Sequence, residues 1–218
     1  MVIVSGASRG IGFQIAEKIA KNHKVYGFAR SDITQPINFN YTKIDAKTFN
    51  RTKLNIAKDE PISKLFLCHA VFGPVKSDIF NLTGNQLENS FKINCISHMV
   101  IIKQLLKNLK LSKSPKVIIL ASKGGIHSHI KGSPSIAYRA SKSAQIALGL
   151  SMKESLAKIG VDLFLVNPGW VKTKIGGKNA TLLARESAEM IINLTKNLDA
   201  SEHSKPCIHN FDGSITAL

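Results

Sequence analysis

Short apolar runs alternate with helix-forming stretches from one end of this chain to the other. That alternation restricts the fold more than any other feature. Met1–Ser5, Lys24–Ala29, Tyr41–Asp45, Lys64–His69, Lys116–Ala121 and Val161–Val166 read as strands, and the tail from Cys207 has room for a last one. Between them, Gly10–Asn22, Ile136–Ile159 and Arg185–Asn197 read as helices, with a short polar helix between the third and fourth strands. Thr83-Gly-Asn-Gln86 is a capping-box pattern that opens a long amphipathic helix to about Lys110. Strands separated by helices cannot pair as hairpins; they pair in parallel through helical crossovers. The pattern therefore predicts an α/β fold, a doubly wound and mainly parallel sheet with helices on both faces. Such sheets bind ligands at the carboxyl ends of their strands, where the strand order reverses, so functional residues should directly follow strands. The 218 residues suit a single domain over 1–218.

The loop after the first strand reads Ser5-Gly6-Ala7-Ser8-Arg9-Gly10-Ile11-Gly12 and runs straight into the first helix. Glycines let the backbone turn tightly and approach a ligand closely. The helix start adds free N–H groups and a partial positive charge suited to a pyrophosphate. Such a loop at a strand-to-helix junction marks a dinucleotide-binding Rossmann fold. After the second strand, an NAD-binding site would carry an acid for the ribose hydroxyls. This chain has Ala29-Arg30-Ser31, and Asp32 comes slightly too late. Arg9 and Arg30 suit a 2′-phosphate through forked, charge-assisted hydrogen bonds.

Tyr138-Arg-Ala-Ser-Lys142 places a phenol and an ammonium four residues apart, on one helix face. A nearby ammonium favours phenolate and so lowers a tyrosine's pKa, normally about 10. Ser122 closes the fifth strand at its carboxyl end, and Asn94 lies midway along the long helix. After the sixth strand comes Asn167-Pro168-Gly169-Trp170-Val171-Lys172-Thr173.

Taken in order, the Gly-rich loop, Ser122, Tyr138 with Lys142, and Pro168-Gly169 resemble the short-chain dehydrogenase/reductase family over essentially the whole chain. Tyr-Arg-Ala-Ser-Lys, Gly176-Gly177-Lys-Asn-Ala180 and Phe211-Asp-Gly213 are similar to its C-factor and carbonyl-reductase-like branch. The resemblance implies catalysis by Asn94, Ser122, Tyr138 and Lys142. It implies cofactor contacts from Gly6, Ser8, Arg9, Gly10, Ile11, Gly12, Arg30, Ser31, Asp45, Ala46, His69 and Ala70. Tyr138, Lys142, Pro168, Gly169, Val171 and Thr173 complete that set. The implied reaction is hydride transfer from NADPH, in preference to NADH, to the carbonyl of a small aldehyde, ketone or quinone. Ser122 would polarise the carbonyl, Tyr138 would donate the proton, Lys142 would hold the ribose and tune Tyr138, and Asn94 would hold a relay water. A nucleotide-binding regulatory protein of the same fold, with little turnover, is the competing reading. A homo-oligomer, dimer or tetramer, is also implied.

Two segments depart from the family. Its Asn-Asn-Ala-Gly reads Cys68-His69-Ala70-Val71 here. Val71 could crowd the adenine ribose, and His69 either replaces an asparagine hydrogen bond or fills space. The stretch from Gly177 to Ala188 is short, implying a small lid over an open site. Trp170 either lines the substrate mouth or only packs.

Bulk chemistry narrows the alternatives. The net charge of +16 invites a nucleic-acid reading. The lysines are scattered, as at Lys103, Lys107 and Lys110, with no arginine–aromatic interleaving, so no dedicated nucleic-acid partner is expected. No apolar stretch approaches the roughly 18 residues of a membrane span, and Met1–Val4 is too short for a signal-peptide core. Three cysteines, Cys68, Cys95 and Cys207, form neither a disulfide framework nor a zinc site, which fits a reduced, cytoplasmic protein. His127 and His129 lack nearby carboxylate or thiol partners in sequence, so no metal is expected.

Overall fold

The computed structural model describes residues 1–49, 51–74, 79–130, 135–199 and 206–218. The strands are β1 (Val2–Ser5), β2 (Val25–Ala29), β3 (Asn40–Lys43), β4 (Lys64–Leu67), β5 (Lys116–Leu120), β6 (Asp162–Asn167), β7 (Cys207–Asn210) and β8 (Ile215–Ala217). They form an 8-stranded sheet in the order β3-β2-β1-β4-β5-β6-β7-β8. All neighbours run parallel except β7 and β8, which pair antiparallel. The chain winds outward from β1 to β3, then returns to the other side of β1 at β4. The crevice between β1 and β4 is therefore the switch point where such sheets bind ligands.

Side-chain alternation along β1 explains the two covering layers. Val2 and Val4 pack with Phe13, Ile15 and Ala188 on the face covered by α1 (Gly10–Ala20) and α5 (Ala184–Asn197). Ile3, pointing the other way, packs with Ile101, Leu105 and Ile146. That second face is covered by α2 (Gly84–Phe91), α3 (Ser97–Lys110) and α4 (Ile136–Ala157). Burying such side chains contributes about 1.5–3 kcal/mol each, which favours the sandwich over an open sheet.

The predicted long helix contains an interruption. Its capping box is present: Thr83 Oγ accepts from Gln86 N–H at 3.3 Å, and Gln86 Oε1 accepts from Thr83 N–H at 3.0 Å. Between α2 and α3, however, Lys92–Ile96 forms a turn of π-helix. The inserted turn holds Asn94. The short polar helix after β3 is one 3-10 turn, Ala46–Thr48, capped by Asp45. Residues 131–134, within the loop between Ser122 and Tyr138, lie outside the described residues.

Candidate active site

A cavity of about 980 Å³ opens at the switch point. The Gly-rich loop forms one wall, through Gly6, Ser8, Arg9, Gly10, Ile11 and Gly12. The loops after β2 and β3 supply Arg30, Ser31, Asp45 and Ala46, and the loop after β4 supplies His69, Ala70 and Val71. Thr173 closes the far side, 3.3 Å from where a Cβ on Gly10 would stand.

This wall fits a dinucleotide. A Cβ on Gly12 would lie 2.5 Å from the Gly6 carbonyl oxygen, and one on Gly6 would lie 2.9 Å from His69 N. Only glycine leaves that space. The first turn of α1 carries no acid, and Arg9 at its N-cap makes no side-chain cap hydrogen bond, so the helix's leading N–H groups stay available. Arg9 and Arg30 are exposed, and neither is in an ion pair among the described residues. Asp32 is spent on Lys43 at 2.6 Å. Tyr41, on β3, ties this end together: its hydroxyl donates to the carbonyls of Ala29 and Ser31 and also meets Ser8.

At the other end lie Ser122, Tyr138 and Lys142. Ser122 follows β5, accepts from Gly124 N–H at 3.1 Å, and hydrogen-bonds Tyr138. Lys142 is buried, one turn further along α4, with its Nζ 6.0 Å from the centre of the Tyr138 ring. These three residues, together with Pro168, Gly169 and Val171, stand behind the cavity wall rather than in it. Phe72, which lines the cavity, packs its ring 5.1 Å from that of Tyr138. Pro168-Gly169 is a sharp turn with Gly169 at φ +82°, and a Cβ there would meet Leu182 at 2.7 Å and Phe211 at 2.8 Å. The Phe211 ring thus packs against this turn.

One expectation changes. The Tyr138 pKa is raised here rather than lowered. Burial raises the phenol, and the Ser122 hydrogen bond and Arg139 only partly oppose it. The ammonium is drawn away, because Lys142 Nζ donates to the Leu120 carbonyl at 2.8 Å and to Gln145 Oε1 at 3.0 Å. The Asn94 side chain makes three hydrogen bonds. It brackets Val71, accepting from its N–H at 2.7 Å and donating to its carbonyl at 2.8 Å, and donates to Ser141 Oγ at 2.9 Å.

His69 makes hydrogen bonds rather than merely filling space. Its Nδ1 lies 2.6 Å from Ser5 Oγ and its Nε2 lies 2.6 Å from Ser97 Oγ. Burial, with Lys142 nearby, holds its pKa down to about 3. His127 and His129 sit exposed on a 3-10 turn. Trp170 is half exposed, its indole donating to the Gly176 carbonyl at 2.8 Å, and it does not line the cavity. Sequence reasoning missed Phe28, Ile44, Phe49 and Phe72 as cavity walls, because apolar residues near strand ends look like core. It also missed His98 and Gln145. The available signal was polar residues at helical spacing on buried faces: Asn94 with His98, and Lys142 with Gln145.

Comparison with known proteins agrees with this geometry. The chain is 30% identical over 118 residues to C-signal from Myxococcus xanthus, spanning 54% of this chain and 70% of that protein. Carbonyl reductase Sniffer of D. melanogaster superposes with a TM-score of 0.86 at 21% identity, covering 100% of this chain and 98% of the other. An NADPH-bound carbonyl reductase from chicken fatty liver gives 0.85 at 18% identity, with the same coverage. A family model described as short chain dehydrogenase matches residues 1–184. The chain thus belongs to the short-chain dehydrogenase/reductase family of oxidoreductases, with likenesses that run to C-signal and the carbonyl reductases.

Proposed function

We propose that this protein reduces the carbonyl group of a small aldehyde, ketone or quinone with NADPH. The observation that carries this reading is the Ser122–Tyr138 hydrogen bond, set beside buried Lys142 at the end of a glycine-walled cavity. A bound nicotinamide cofactor would supply the hydride; everything else is the work of side chains. The α1 N-terminus would hold the pyrophosphate, and Arg9 with Arg30 the 2′-phosphate. Asp45, Ala46, His69, Ala70 and Thr173 would flank the rest, with Pro168, Gly169 and Val171 shaping the nicotinamide end from behind. Ser122 would donate to the carbonyl oxygen and stabilise its developing charge. Tyr138 would give up its proton to that oxygen as general acid. A phenol whose pKa is raised stays protonated at neutral pH, the form a reductase needs first. Lys142 would meet the ribose hydroxyls. Asn94, whose side chain brackets Val71, would hold a relay water.

The NADPH-bound chicken reductase supports the cofactor assignment, as do the exposed Arg9 and Arg30, in no ion pair among the described residues. The domain would span 1–218, act in the cytoplasm on a small substrate, and pair with copies of itself. Among the described residues, no helix is long and apolar enough to cross a membrane. The test is NADPH oxidation across a panel of aldehydes, ketones and quinones. Turnover of any of these carbonyls supports the proposal. NADPH binding with no turnover anywhere favours the regulatory reading, for which the Phe72 ring packed over Tyr138 is the structural argument.

A further inference from the structure

Behind Lys142 lies a buried polar chain that the proposed chemistry does not use. Gln145 follows Lys142 on the same buried face of α4, and His98 faces it from α3; each is 1% exposed. Gln145 Oε1 accepts from Lys142 Nζ at 3.0 Å, and Gln145 Nε2 lies 2.8 Å from His98 Nδ1. His98 Nε2 lies 3.2 Å from the His69 carbonyl oxygen.

The proton positions follow from the partners. A carbonyl can only accept, so His98 carries its proton on Nε2, leaving Nδ1 to accept from the Gln145 amide. The amide must therefore turn its oxygen to Lys142. The Ser97 hydroxyl donates to the Ile93 carbonyl at 2.8 Å, so it accepts from His69 Nε2–H. Ser5 Oγ accepts from Cys68 N–H at 3.0 Å and donates to His69 Nδ1. Each hydrogen bond in the chain thus pairs a donor with an acceptor, and only one orientation of Gln145 satisfies it. A proton added to His98 Nδ1 would point at the amide N–H, and flipping the amide would point N–H groups at the ammonium.

We propose that Gln145 is the positioning residue for Lys142, its amide locked by His98 and His69 so that the ammonium is held by Gln145 and Leu120 with one N–H left uncommitted. Its part in turnover rests on the carbonyl-reductase reading above. Gln145 supplies one of two acceptors that compensate a buried charge. The groups facing Lys142 are Cys68 and His69 after β4, Cys95 and His98 from the π turn and α3, and Tyr138 on α4. None is a carboxylate. Burial holds Lys142 down to about 7, so its charge is sensitive to each remaining acceptor.

The test is nuclear magnetic resonance on cofactor-free protein. Nitrogen-15 correlations should show His69 and His98 as neutral Nε2–H tautomers at pH 6. In carbon-13 lysine-labelled protein, Gln145→Glu should raise the Lys142 midpoint by about one pH unit or more, and Gln145→Leu should lower it. His98→Leu, which frees the amide to rotate, should shift it in the same direction as Gln145→Leu but less. In the active enzyme, the kcat–pH profile should move with the midpoint in each variant, while KM for the carbonyl changes little. A charged or Nδ1–H His98, or a Lys142 midpoint unmoved by both Gln145 variants, overturns the proposal. Lysine and histidine behaviour as stated in a wild type without turnover retires the carbonyl-reductase reading and leaves the wiring standing. An active enzyme whose profile stays put retires the role in turnover alone.

Discussion

At the β1–β2 end of the cleft the chain presents backbone and exposed guanidiniums: Gly6, Gly10, Gly12, Arg9 and Arg30. Behind the α4 end lie the buried side chains Lys142, Gln145 and His98, hydrogen-bonded in a chain to the His69 carbonyl, with Tyr138 beside Lys142. The first end works by vacancy, since its glycines are needed for the atoms they lack. Its charges sit in water, where salt screens them. The second end works by exclusion of water, so each hydrogen bond there governs a protonation state. Perturbations at the first end should change affinity and respond to salt. Perturbations at the second should change rate and respond to pH.

The largest expected effect is at the buried end. Tyr138→Phe keeps the ring and its packing on Phe72 but removes the proton donor, and should cost on the order of 10²–10⁴ in kcat. NADPH affinity should barely change. Steady-state kinetics beside a fluorescence binding titration decide it; affinity falling in parallel with rate would mean that the two ends are not separate.

Next comes acid stability. His69 is held near 3 and His98 well below its ordinary value, so the unfolded chain takes up protons below about 6.5 that the native state refuses. Stability should therefore fall as pH drops from about 6.5 toward 3. His69 contributes up to about 1.4 kcal/mol per pH unit in that window, and His98 acts with the same sign. Lys142 acts with the same sign higher up, its folded pKa of about 7 lying below its ordinary 10.5, so stability should rise with pH between those values. Denaturant melts of wild type and His69→Asn across pH 4–7 test the histidine part. An identical slope in both would remove His69 from the account.

The exposed end should give a smaller, salt-sensitive effect. NADPH should bind at least about tenfold tighter than NADH at low salt, the preference shrinking as salt rises and vanishing in an Arg9→Ala, Arg30→Ala double variant. Titrations of both cofactors at two ionic strengths measure it. A preference that survives the double variant would move the 2′-phosphate site elsewhere.

The smallest effect concerns the seam between the two ends. Val71 lines the cavity and is held by Asn94 through both its N–H and its carbonyl. Val71→Gly restores the family residue and removes any crowding of the ribose, so cofactor affinity should rise about threefold at most, roughly the scale of a few atom–atom contacts. Weaker binding instead would show that the valine backbone needs its side chain to stay in place.

The layer order and the cavity's location were legible in sequence because they follow from local periodicity and glycine placement. A period of two, a period of 3.6 and a Gly-rich strand-to-helix junction are carried by neighbours in the chain. Tyr138 and Lys142 share a face for the same reason. What only the tertiary structure decided is how side chains distant in sequence divide their hydrogen bonds. Lys142 turns to Leu120 and Gln145, Asn94 spends its amide on Val71 and Ser141, and His69 joins Ser5 to Ser97. The π turn that carries Asn94 belongs with these. Periodicity is a property of one segment, whereas a buried donor must find whichever acceptor the packing of other segments brings within about 3 Å.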